Sequence, residues 1–276
     1  GSGSVIGEAL CSDPRVKTIA FVGSTETGKE IIRAASGTVK NLYMELGGND
    51  AAIILGDANL DEDGIKRLRF GVLRAAGQVC SAIKRIYVHE SRYEEIVEKL
   101  KKEFQRIRVG NGIQPDVEMG PLNNKSQYDY VQGLIERAAD SGATVISAGI
   151  QIDPESWDQG YFILPTIITG VDQNSEIVRS EQFGPVIPIL PFSNIDEAVK
   201  LANDSEFGLR ASVWTENEEL AIQLADQLEA GAVFHNNHTV FQDLHLDFPG
   251  LKESGLSREI RHCGLEYFAD SYGLAN

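Results

Sequence analysis

Gly77-Gln78-Val79-Cys80-Ser81-Ala82 is the stretch on which the reading of this chain turns. It holds one of three cysteines. It lies between a helix expected to end near Ala76 and a strand expected over residues 85–89. A thiol at such a junction can be held with its sulfur facing a cleft. Cysteine acts as a nucleophile only as the thiolate, so it needs local help to ionise and room for a substrate. The same residue type also serves as a small buried hydrophobe.

A second stretch, Met44-Glu45-Leu46-Gly47-Gly48-Asn49-Asp50, puts an acid inside an apolar run and follows it with two glycines. Glu45 ends a strand-like segment over residues 41–46, and strand ends in α/β sheets face the ligand crevice. Paired glycines let the backbone pass close to another group. A lone Glu there also reads as an exposed carboxylate on a strand end.

Taken together, Glu45 and Cys80, in this order and with these flanks, resemble the aldehyde dehydrogenase superfamily. Glu45-Leu46-Gly47-Gly48 is similar to the box that carries that family's general base. Gly77-Gln78-Val79-Cys80 is similar to the box that carries its nucleophile. The resemblance implies, for a full-length parent, oxidation of an aldehyde to a carboxylic acid with NAD or NADP, through a thiohemiacetal and a thioester on Cys80; this chain alone is expected to be impaired in that activity. It makes Glu45 the base that activates the hydrolytic water, and it places Gly47 on the cofactor side. Two alternatives stay open: a coenzyme-A acylating relative, whose members usually lack that base, and a catalytically inert structural or interaction module. One position departs from the pattern: Ala75 stands where many relatives carry Asn.

The resemblance runs along the chain. Residues 18–22 read as a strand that enters Gly23-Ser24-Thr25-Glu26-Thr27-Gly28 and then a helix, a natural anion site at a helix N-terminus. Ser24 or Thr25 could equally be a helix cap. The family's similar turn lies against the cofactor diphosphate, which makes Gly23 and Ser24 cofactor contacts. Ser180-Glu181-Gln182-Phe183-Gly184-Pro185-Val186 resembles a box in which Glu181 binds the hydroxyls of the nicotinamide ribose and Phe183 packs beside the ring. Asp247-Phe248-Pro249-Gly250-Leu251-Lys252 resembles another, with Asp247 and Pro249 departing from it. Phe248 and Phe241 are the residues this resemblance sets near the substrate mouth. His235 and His238 invite a metal reading, but with no third ligand in reach they read as surface or loop histidines, and no metal is expected.

Composition narrows the partners. The chain has 276 residues, 42% of them hydrophobic, and a net charge of −16. That balance repels nucleic acid and anionic membrane surfaces, so neither is expected as a partner. No stretch approaches the roughly 20 apolar residues needed to span a bilayer, and the N-terminal residues show no basic-then-apolar signal pattern. Cys11, Cys80 and Cys263 are odd in number and far apart, which fits a reducing compartment and a cytoplasmic location.

Alternating strand and helix patterns predict an α/β fold with a mostly parallel sheet flanked by helices. The resemblance divides it into a remnant of a Rossmann-type cofactor domain (1–48), a catalytic domain (49–253) and a C-terminal return segment (254–276). Relatives place most of the cofactor domain and an oligomerisation hairpin before the matching region. A strand over residues 267–274 is the expected contribution to a homo-oligomer interface.

Overall fold

The computed structural model describes residues 1–152, 154–155, 157–238, 247–256, 258–259, 268–270 and 272–274. The chain opens with α1 (Gly3–Ser12), β1 (Thr18–Val22), α2 (Thr25–Ala35), β2 (Asn41–Glu45), β3 (Asp50–Ile54) and α3 (Glu62–Leu73). It continues through β4 (Ile83–His89), α4 (Tyr93–Phe104), β5 (Arg108–Val109), α5 (Lys125–Asp140), β6 (Thr144–Ser147) and β7 (Ile150–Gln151). Then come β8 (Thr166–Thr169), α6 (Glu176–Arg179), β9 (Val186–Phe192), α7 (Ile195–Asn203), β10 (Phe207–Gly208), β11 (Arg210–Trp214) and α8 (Glu218–Ala225). β12 (Ala232–His235), β13 (Phe248–Pro249), β14 (Leu251–Lys252), β15 (Gly255–Leu256) and β16 (Arg258–Glu259) complete the order.

Two sheets organise these elements. The larger has the order β12-β11-β3-β4-β9-β8-β6 and is parallel throughout except for the β6–β8 pair. Its central strands are buried on both faces. That explains why β3 and the end of β4 read as unbroken apolar runs. Helices cover them with one stripe each: Ile65, Leu68 and Val72 of α3, Ile96, Leu100 and Phe104 of α4, and Val131 and Leu134 of α5 all enter the same core. The smaller sheet has the order β1-β2-β15, with β1 and β2 parallel and β15 antiparallel to β2.

Residues 46–49 carry the chain from β2 of the small sheet to β3 of the large one. The seam they cross holds the candidate site. Among the described residues no helix is long and apolar enough to cross a membrane. Among the described residues of 267–274 no strand is formed.

Candidate active site

Glu45 is the last residue of β2, opposite Val22 in register, and is 4% exposed. Its backbone carbonyl accepts from Gly23 N–H at 3.1 Å, which ties the turn after β1 to the end of β2. Cys80 arrives by a different route. α3 is capped by Asp61, whose carboxylate accepts from Gly64 N–H at 2.8 Å, and ends at Leu73. Ala75, Ala76 and Gly77 then take φ values of 51°, 57° and 73°, a left-handed turn that redirects the chain into β4. A side chain on Gly77 would run into the Gly184 carbonyl, so only glycine fits there. The turn delivers Cys80, partly buried, with Sγ 3.5 Å from Glu45 Oε2.

The strand linker is shaped for this approach. A Cβ on Gly48 would stand 2.5 Å from the Cys80 carbonyl oxygen, and one on Gly47 would stand 2.6 Å from Glu181 Oε2. Gly48 is therefore needed for the close approach of the Cys80 backbone, whereas at Gly47 the neighbours are side-chain ends. Burial, and then the negative charge of Glu45, pushes the Cys80 thiol up to about 12; Lys84 opposes them.

Four backbone carbonyls beneath the thiol are held by two buried side chains that carry no motif signal of their own. Lys84 Nζ donates to Val79 O at 2.8 Å, Cys80 O at 2.7 Å and Ala82 O at 3.3 Å. His238 Nε2 donates to Ser81 O at 3.1 Å, and its Nδ1 meets Ser212 Oγ at 3.0 Å. His238 is 0% exposed and lies 3.4 Å from Asp50 Oδ2, so it is a core residue and not the surface or loop histidine expected. His235 is exposed, as expected. One signal was available: Lys84 and Arg85 interrupt an otherwise apolar strand, and buried charges require partners. Arg85 finds its own in the carbonyls of Asn49, Leu201 and Ala202.

Two of the residues expected at the cofactor, Ser24 and Glu181, share one cleft. Ser24 caps α2, its hydroxyl accepting from Thr27 N–H at 3.3 Å, so the capping role is realised. Glu181 Oε1 accepts from Gly48 N–H at 3.0 Å and lies 3.8 Å from Lys84 Nζ. Burial raises the Glu181 carboxyl above the usual range, while Lys84 and the Gly48 N–H pull it back. Ser24, Thr25, Tyr130, Glu181 and Phe207 line a cleft of about 480 Å³, within the range of small-molecule sites. Phe183 is half-buried with φ 48°, and its carbonyl accepts from Gln127 Nε2 at 3.1 Å. Phe241 lies outside the described residues. The Phe248 backbone pairs with Glu259 in the β13–β16 ladder. Among the described residues no group of three His, Cys, Asp or Glu gathers as a metal site would require.

The model of the aldehyde dehydrogenase family matches residues 1–271. An aldehyde dehydrogenase from Davidiella tassiana is 40% identical over 261 residues, which covers 94% of this chain and 51% of that protein. The NAD+ complex of an aldehyde dehydrogenase from Bacillus cereus superimposes with a TM-score of 0.90 at 37% identity, over 98% of this chain and 54% of the other. A betaine aldehyde dehydrogenase from Staphylococcus aureus in complex with NAD+ gives 0.91 at 34% identity, over 96% and 52%. The chain thus spans about half the length of the curated relatives it matches. With a Cys–Glu pair set between two sheets and a match along nearly all its length, the chain belongs to the aldehyde dehydrogenase family.

Proposed function

We propose that this chain carries the nucleophile and the base of an NAD- or NADP-dependent aldehyde dehydrogenase, with Cys80 and Glu45 in those roles. The observation that supports the reading most strongly is the 3.5 Å contact between Cys80 Sγ and Glu45 Oε2. Cys80 sulfur bonds to the aldehyde carbon, and the thiol proton leaves toward Glu45. The carbonyl oxygen becomes an oxyanion, for which the backbone N–H of Cys80 is one donor. A bound nicotinamide would accept the hydride that turns the thiohemiacetal into a thioester. Glu45 releases the thiol proton to solvent and then takes a proton from a water that attacks the thioester; the C–S bond breaks, the acid leaves and the Cys80 thiolate is protonated again.

The cleft fits such a cofactor. Ser24 sits at a helix N-terminus suited to a diphosphate, and Glu181 offers a carboxylate to ribose hydroxyls. Gly23, Gly47 and Phe183 complete the proposed cofactor side, and Phe248 and Phe241 the substrate side. The test is a single-turnover mass measurement. The chain is incubated with a short aldehyde and excess NAD or NADP, then quenched in acid. An acyl group on Cys80 that forms only with cofactor, and is lost in Cys80→Ser, supports the reading. No cofactor-dependent acyl group with either cofactor overturns it.

A further inference from the structure

Lys84 is 2% exposed, yet it carries an ammonium directly beneath the nucleophile turn. An ammonium has three donors, and the carbonyls of Val79, Cys80 and Ala82 take all three. Burying a cation costs several kcal/mol unless it is fully hydrogen-bonded and balanced by charge. Its nearest carboxylate is Glu181, 3.8 Å away at the edge of the cofactor cleft. The lysine therefore stands between the cleft carboxylate and the thiol-bearing peptide.

This placement has a geometric consequence. The described peptides hold no cis bond, and in a trans peptide N–H points opposite to C=O. Drawing the Val79 and Cys80 carbonyls onto Lys84 thus turns the N–H groups of Cys80 and Ser81 away from it. The positive charge sits beneath a thiol otherwise surrounded by burial and by Glu45 and Asp50; Arg210, from β11, is the other cation near that group. His238 packs beside Asp50 and holds the Ser81 carbonyl. A cation close to a thiol favours the thiolate.

We propose that Lys84 is a positioning residue of this reaction: it orients the peptides on either side of Cys80 and supplies the buried positive charge that favours the Cys80 thiolate. The proposal rests on the reading of Cys80 as the nucleophile.

Alkylation of the full chain by iodoacetamide, with peptide mapping and rates followed against pH, separates the two claims. Below the thiol pKa the rate follows the thiolate fraction, so losing the charge should slow labelling of Cys80 about tenfold or more at any one pH. Lys84→Met and the milder Lys84→Gln should both show this slowing. A merely structural role predicts the reverse, because a loosened turn exposes the thiol and speeds labelling. Should both variants fail to fold, the unmutated chain still decides through its ¹⁵N-lysine spectrum. The Lys84 ammonium should be protected from solvent and should shift when Cys80 is alkylated; an unprotected or unmoved signal overturns the proposal. Labelling of Cys80 at an unchanged or faster rate in either folded variant overturns the role of Lys84 alone. A Cys80 that stays unlabelled at every pH tried, while other cysteines react, overturns the nucleophile reading, and the proposal with it.

Discussion

The Cys80 thiol donates to Glu45 Oε2 at 3.5 Å, across 35 residues of sequence and between two different sheets. The Glu45 charge therefore works against ionisation of Cys80. Burial and Glu45 together hold Cys80 as a thiol at neutral pH, pushed up to about 12. Removing the negative charge lowers that value and raises the thiolate fraction at every pH below it. Glu45→Gln should thus alkylate faster at Cys80, by about tenfold for each pH unit by which the thiol pKa falls. A rate equal to that of the unmutated chain would mean that the two groups do not share a field.

The left-handed turn before Cys80 stores strain. Ala75 and Ala76 sit at φ 51° and 57°, where a Cβ costs about 1–2 kcal/mol and where Asn is tolerated better than most residues. Ala75→Asn should stabilise the chain by about 0.5–1 kcal/mol, seen as a rise of about 2 °C in thermal midpoint. A lower midpoint would show that the turn adopts another conformation.

His238 ties the large sheet to the nucleophile turn through Ser212 and Ser81. Truncation to Ala leaves a cavity and breaks both contacts in a site with no solvent access. His238→Ala should cost about 2–4 kcal/mol in denaturant unfolding. A loss below about 0.5 kcal/mol, the usual level for exposed residues, would place the histidine outside the core.

The Glu181 carboxylate faces the cleft where a ribose is proposed to bind. Hydrogen bonds to a charged acceptor contribute about 1.5–3 kcal/mol. Glu181→Ala should therefore lower cofactor-dependent acyl formation at Cys80 by about tenfold or more, with the shortfall narrowing as cofactor concentration rises. A shortfall that ignores cofactor concentration would move Glu181 out of the cofactor role.

Much of this was legible in the sequence, and the reasons are local. Glu45 and Cys80 lie in short stretches whose glycines are dictated by close approach, at Gly48 to the Cys80 carbonyl and at Gly77 to Gly184. The mostly parallel sheet followed from strand and helix patterns that alternate along the chain. What could not be read were contacts made only by folding. Lys84 and Arg85 stand out only as charges in an apolar strand, β4, while Asp50 in β3 and His238 in a loop look ordinary among their neighbours. Their partners are mainly backbone carbonyls, which carry no sequence signal. Ala75 and Ala76 read as the end of a helix because alanine favours helix; in the fold they take a left-handed turn that leads into Gly77, which packs against the Gly184 carbonyl.

The central claim is that Cys80 takes the acyl group and Glu45 removes it. Intact-mass measurement after mixing with an activated acetyl ester tests this without any cofactor. The account predicts one acetyl group on Cys80 that decays in the unmutated chain, persists much longer in Glu45→Gln and never forms in Cys80→Ser. Acetylation at another residue, or decay at equal rates with and without the Glu45 carboxylate, would contradict it.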